Sequence, residues 1–92
     1  MNWNAQLCAR KEVVARRVDD GAVLVDMATG KCFELNRVGI EIWELVVQGN
    51  SPQAIHEILH VKYEIGGQTL RADIERLIGS LERNRLIELT AP

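Results

Sequence analysis

This chain lacks a net positive charge. Eleven Lys and Arg stand against thirteen Asp and Glu, leaving a formal charge of −2 and a pI near 5.6 over 92 residues. Affinity for a nucleic-acid backbone needs a net basic face, so DNA and RNA are not expected partners. Long apolar runs are missing as well. No stretch approaches the roughly eighteen apolar residues of a membrane span, and the opening MNWNAQLCARKE has no apolar signal core. The expectation is a cytoplasmic protein with no membrane partner. Cysteine is limited to Cys8, in a polar stretch, and Cys32, in a predicted strand. With neither CxxC nor Cys/His spacing, both read as free thiols. His56 and His60 sit four apart, a zinc-compatible spacing without a third ligand. Neither cysteine has a histidine nearby in sequence, and there is no Gly-rich phosphate loop and no carboxylate pair. No catalytic residue, metal or cofactor is expected, and the chain reads as a non-enzyme.

What is present is ordinary globular material, 47% hydrophobic and 26% charged, too apolar for disorder. Its length suits one domain with a single core and little stability in reserve. Residues 1–11 show no clear period and read as an N-terminal tail that frays, although Trp3 and Leu7 could fold back as an apolar flap. Residues 12–92 form the domain.

Residues 12–18 are rich in β-branched side chains, with Val14 and Val18 on one face and Val13 and Ala15 on the other, while Arg16 and Arg17 mark partial exposure. Asp20-Gly21 is a dipeptide that tolerates positive φ at both centres of a two-residue hairpin. Residues 22–27 alternate Val23, Val25 and Met27 against Ala22, Leu24 and Asp26, which marks a central strand. Ala28-Thr29-Gly30-Lys31 then places Gly where a type I turn ends in a left-handed residue, closing a second hairpin onto Cys32-Phe33-Glu34-Leu35. Three sequential strands joined by tight turns make a meander, so the third lies on an edge.

Asn36 follows that third strand without a linker. It is a good N-cap, and Leu35 before it can reach Ile40 as a hydrophobic staple, which fixes the angle between strand and helix. Val38, Ile42, Leu45 and Val46 line the apolar face, Trp43 and Val47 an adjoining stripe, and Gly49-Asn50 ends the helix. Ser51-Pro52 pairs a capping hydroxyl with proline at the first helical position, and Ile55, Ile58, Leu59 and Tyr63 form the buried side of a second helix. Gly66-Gly67 breaks the chain, and Thr69 can cap a third helix. There Leu70, Ile74, Leu77, Ile78 and Leu81 give the clearest helical period of all. Leu86, Ile87 and Leu89 follow as a short apolar segment. The order β-β-β-α-α-α is an α+β, winged helix-turn-helix-like arrangement, and architecture alone does not name a function.

The stretch GAVLVDMATGKCFELNRVGIEIWELV, with Ile55-His56-Glu57-Ile58-Leu59, Tyr63, Asp73-Ile74, Leu81 and Leu86-Ile87, resembles the PqqD family over residues 13–89. The pattern is a strand pair, LN, a helix carrying IW.L, and D followed by I at the head of the last helix. It is similar in particular to the small stand-alone members of lasso-peptide and related pathways, the RiPP recognition elements. The resemblance implies a non-catalytic protein that binds the leader segment of a ribosomally made precursor peptide. It would present that leader to a separate processing enzyme, such as the leader-cleaving cysteine protease of a lasso-peptide pathway. The resemblance also implies that the leader adds as a strand beside the third strand, in a groove shared with the third helix. By position that picks out Lys31, Cys32, Phe33, Glu34 and Leu35, with Asp73, Ile74, Leu77 and Ser80 on the helix.

The residues agree on the strand. An edge offers unpaired N–H and C=O groups that an extended peptide satisfies by β-augmentation. Phe33 and Leu35 read as core, Cys32 and Glu34 as the opposite face. Asp73 reads as a first-turn carboxylate, and Gly79 as a place where a peptide or a neighbouring helix approaches closely. Arg71, Arg76, Arg83 and Arg85 with Glu75 and Glu82 read as a solvated mixed-charge surface or, more sharply, as the source of one arginine that pairs an acidic leader residue. The competing reading is a winged helix DNA-binding regulator with the third helix in the major groove, disfavoured by the acids at Asp73, Glu75 and Glu82.

Overall fold

The computed structural model describes residues 1–63 and 67–90. Eight elements follow one another: β1 (Gln6–Ala9), β2 (Val13–Val18), β3 (Gly21–Asp26), β4 (Cys32–Leu35), α1 (Arg37–Val47), α2 (Pro52–Lys62), α3 (Gly67–Arg83) and β5 (Ile87–Thr90). β2, β3 and β4 form an antiparallel meander with β3 in the centre, while β1 and β5 pair as a separate antiparallel ribbon. The expected three strands and three helices are present in the expected order, an α+β fold. No described helix is long and apolar enough to cross a membrane.

The first hairpin turns one residue earlier than Asp20-Gly21 suggests. Val18 pairs with Gly21, and Asp19 takes the left-handed conformation with φ 53°, which aspartate tolerates better than most residues. Gly21 is required by closeness instead: a Cβ there would lie 2.5 Å from the Leu35 carbonyl oxygen. Along β3, Ala22, Leu24 and Asp26 are buried and Val23 and Val25 half-exposed, so the face that carries the acid is the core face.

The helices are capped as their sequence implies. Gly39 N–H donates to Asn36 Oδ1 (2.8 Å) at the start of α1, and Ala54 N–H donates to Ser51 Oγ (3.2 Å) at the start of α2, with Pro52 at the first turn. α1 ends in a Schellman arrangement: Asn50 N–H donates to Leu45 O (3.1 Å), Gly49 N–H to Val46 O (2.9 Å), and Gly49 is left-handed at φ 93°. α3 ends the same way, with Leu86 N–H on Leu81 O (2.9 Å) and Arg85 N–H on Glu82 O (3.0 Å), but its left-handed residue is Arg85 at φ 59°. A side chain in that conformation costs about 1 kcal/mol that glycine avoids. α3 begins at Gly67, so Thr69 lies inside the first turn and is not its cap; Gly66 lies outside the described residues. Ile58 also departs from expectation. α2 buries Ile55 and Leu59, and Ile58, rotated off their shared face, is 44% exposed.

One core joins all the layers, from Val13, Leu24 and Leu35 of the sheet through Ile42, Ile55, Leu70 and Ile78 of the helices to Leu7 and Ile87 of the ribbon. The frayed tail is therefore corrected. Gln6 to Ala9 pair in register with Thr90 to Ile87, Leu7 is only 2% exposed, and Arg10 N–H donates to Leu86 O (3.1 Å). Ahead of β1, the Arg71 guanidinium lies 3.8 Å over the Trp3 ring, and Gln53 N–H donates to Trp3 O (2.9 Å). The four-residue strand is too short for its pattern to stand out in sequence, and its partner lies some eighty residues away. Leu7→Ala is expected to destabilise the protein by about 2–5 kcal/mol through lost burial and a cavity, read from chemical denaturation. A change below about 0.5 kcal/mol, the level of an exposed site, would restore the fraying tail.

Candidate peptide-binding groove

β4 is an edge whose free side can be read from one hydrogen bond. Gly30, at φ 80°, closes the turn with its N–H on Asp26 O (2.7 Å), and Asp26 N–H donates to Lys31 O (2.9 Å). Antiparallel ladders alternate between hydrogen-bonded and non-hydrogen-bonded pairs. With Asp26 and Lys31 bonded, and with Val25↔Cys32, Leu24↔Phe33, Val23↔Glu34 and Ala22↔Leu35 in register, Phe33 and Leu35 turn their main-chain groups toward β3. Cys32 and Glu34 turn theirs outward. No described strand occupies that outer side. Side chains alternate the other way: Leu35 is buried and Phe33 half-buried on the core face, while Cys32 and Glu34 are exposed.

Beside the open edge runs a groove of about 320 Å³, walled by Phe33, Glu34 and Leu35 of β4, Val38, Gly39 and Ile42 of α1, and Asp73, Arg76, Leu77 and Ser80 of α3. Phe33 also lines a hollow of about 150 Å³ with Lys31, Cys32, Asn84 and Leu86. The structure thus brings eight of the nine residues singled out from sequence to one trough. Ile74 is the exception: it is fully buried in the core and lines neither hollow. Asp73 is not a first-turn carboxylate, because α3 starts at Gly67 and has no acid in its first turn. It accepts instead from Arg76 Nη2 (2.7 Å), one turn on, at the groove wall. Val38, Ile42 and Arg76 are not among the site residues expected from sequence. Val38 and Ile42 share one helical face with the core, and only the opening between β4 and α3 separates their groove-facing flank from true interior. No neighbouring helix comes close to Gly79: a Cβ there would meet only the Arg83 guanidinium, 3.2 Å away on the same helix.

The sequence matches the family described as Coenzyme PQQ synthesis protein D (PqqD) over residues 21–87. The chain belongs to the PqqD family. Two solved structures resemble it. "TbiB1 in Complex with the TbiA(beta) Leader Peptide" is 29% identical, covers 92% of this chain and 99% of its own, and superimposes with a TM-score of 0.79. "Lasso peptide synthetase B1 complexed with the leader peptide" is 28% identical, covers 89% of this chain and 96% of its own, and has a TM-score of 0.77. No curated protein matches the chain. The LN and IW.L signature thus lies inside the stretch that matches the PqqD family. Both cysteines of this PqqD-family chain are exposed free thiols. His56 and His60 stack with ring centroids 5.5 Å apart, and among the described residues no three His, Cys, Asp or Glu side chains converge on a point that could hold a metal ion.

At the turn end of the trough one carboxylate ties three segments together. Asp26 is 2% exposed; its Oδ1 accepts from Ala28 N–H (2.9 Å) and its Oδ2 from Arg10 Nη1 (3.3 Å). Arg10 Nη1 also donates to Arg85 O (2.9 Å), so the turn, the segment after β1 and the end of α3 share one polar joint. The Ala28 N–H, with help from Thr29 and the Arg10 guanidinium, holds the Asp26 carboxyl below its ordinary 3.8 against the opposing effect of burial. A depressed carboxyl contributes stability that is complete at neutral pH and is lost as pH falls through its folded-state value. As pH is lowered below about 5, the urea midpoint of the wild type is therefore expected to fall more steeply than that of Asp26→Asn, which lacks the charge. Parallel acid limbs in the two proteins would remove Asp26 from this role.

Proposed function

We propose that this protein is a recognition module without catalytic activity of its own. It holds the leader segment of a ribosomally made precursor peptide as an added strand on β4, and delivers it in the cytoplasm to a separate processing enzyme. The favoured enzyme is the leader-cleaving cysteine protease of a lasso-peptide pathway. The observation that carries the reading is the open β4 edge standing beside a ready-formed groove. Cys32 and Glu34 each offer one N–H and one C=O outward, so an added strand can form four main-chain bonds. These contribute about 1 kcal/mol net apiece. One or two apolar side chains of the peptide, dropped between Phe33, Val38, Ile42 and Leu77, add about 1.5–3 kcal/mol each. Ordering a flexible leader offsets part of this, and the balance suits capture followed by release.

The leader peptides held by the two solved relatives support this assignment. The nine residues expected from sequence keep distinct parts in it. Cys32 and Glu34 supply the main-chain groups; Phe33, Leu35 and Leu77 supply apolar wall; Lys31, Asp73 and Ser80 supply polar wall; Ile74 belongs to the core. The winged helix regulator gains nothing from the structure, since the outer face of α3 presents Glu75 and Glu82 among its arginines where phosphates would have to approach.

The register makes a sharp test. Glu34→Pro removes an N–H that points outward and leaves the β3 ladder intact, a position where an edge strand accepts proline. Binding of the precursor's synthetic leader should weaken about tenfold or more, with the circular dichroism spectrum unchanged. Phe33→Pro removes an N–H that points to β3 and should damage the fold. In the wild type, amide signals of residues 31–35 should move when the leader is added. Wild-type affinity in a folded Glu34→Pro variant would show that the edge is not the site.

A further inference from the structure

The trough along β4 does not end at Phe33. Lys31 and Asn84, which line the smaller hollow, also line a polar cleft of about 1060 Å³ between the β3–β4 turn, the end of α3 and β5. A strand laid on β4 that runs on past Lys31 therefore enters this cleft. Its floor is the Arg10–Asp26 joint, where the charges satisfy one another. On its walls stand three cations, Lys31, Arg83 and Arg85, and two acids, Glu82 and Glu88, none of them in an ion pair among the described residues. The surplus is positive.

Arg85 is the telling member. It occupies the left-handed position of a helix end whose twin, at the end of α1, carries Gly49. Two identical backbone motifs in one chain, one with the unstrained residue and one without, indicate that the side chain at Arg85 has a use that offsets its strain. Its carbonyl is pinned by Arg10 Nη1 at 2.9 Å, which sets the backbone from which the guanidinium reaches the cleft. We propose that this cleft recognises an acidic side chain of the bound peptide in the stretch that leaves β4 beyond Lys31. Arg85 determines the specificity, and Lys31 and Arg83 add to the field. The proposal rests on the leader-binding reading and orders the peptide along the trough: apolar residues lie beside α1 and α3, and an acid lies at the turn end.

The test does not require the natural leader. Random peptides long enough to span the trough are displayed on phage, selected on the immobilised full chain and counter-selected on Glu34→Pro, so that survivors depend on the β4 edge. Survivors are expected to carry aspartate or glutamate at one end of an alternating apolar stretch. As synthetic peptides they should bind Arg85→Glu about tenfold more weakly than wild type. Replacing their acid by lysine should restore binding to Arg85→Glu while weakening it to wild type. Arg85→Gly should melt at a higher temperature, its strain relieved, yet bind the acidic peptides several-fold more weakly. Edge-dependent peptides without an acidic bias, or wild-type affinity in Arg85→Gly, overturn the cleft proposal and leave the leader reading standing. Recovery of no edge-dependent peptide overturns both.

Discussion

The groove exists because β4 passes into α1 with only Asn36 between them. Asn36 is extended and its side chain accepts the Gly39 N–H at 2.8 Å, so the direction of the helix is set by the residue that directly follows the strand. Leu35 and Ile40 are both buried in the core at this corner. Gly39 completes the fit: a Cβ there would come within 3.3 Å of the Leu35 side chain and of Asn36 Oδ1. A longer or softer connection would let α1 drift relative to the β4 edge. With the corner locked, the wall made by Val38 and Ile42 stands at a fixed distance from the outward groups of Cys32 and Glu34 before any peptide is present. A pre-formed site lowers the ordering cost on the protein's side.

A second constraint acts at the other end of the strand. There Asp26 and Arg10 join the β3–β4 turn to the ribbon and to the end of α3. Both ends of β4 are thus tied to helices, one by a cap and the other by a buried ionic joint, while its middle is left with half of its hydrogen bonds unmade. Rigid ends with an unsatisfied middle suit a receptor for an extended chain. The ribbon of β1 and β5 is part of this arrangement, because Arg10 leaves β1 directly into the joint.

Much of this is legible in sequence where the signal is local. The Asp26-to-Leu35 hairpin, the Asn36 and Ser51 caps and the period of α3 each lie within a few residues, and each forms as expected. What is not legible depends on distance. Leu7 finds Leu89 across the whole chain, and no short-range pattern announces such a pairing. In sequence Asp26 looks like the one flaw in an apolar strand face, and only its partners Arg10 and Ala28 show why a buried acid is stable there. Gly21 reads as a turn glycine, yet it is needed because the Leu35 carbonyl comes close. At the candidate site, the strand half follows from topology, since a meander must leave an edge. The helix half follows only from resemblance, and periodicity does not separate Ile74, which is core, from Leu77, which is wall.

The meander has two outer strands, and the difference between them is what favours β4 over β2 as the proposed peptide edge. β2 is longer and also presents unpaired main-chain groups; Met27 N–H donates to Glu12 O (2.8 Å), which places the outward groups at the odd-numbered residues, Ala15 and Arg17 among them. A peptide could find hydrogen bonds there, but little else. Arg17 is engaged with Glu44 of α1, and the adjacent hollow is small and polar, about 160 Å³, walled by Asp19, Asp20, Arg37 and Glu41 as well as Arg17 and Ile40. Main-chain bonds alone are the same for every sequence, so an edge without pockets cannot choose a partner, and exposed arginines on it guard against indiscriminate pairing. β4 has the same main-chain chemistry with apolar and polar walls beside it. Hydrogen bonding makes either edge sticky; only the wall that α1 and α3 build makes one of them selective.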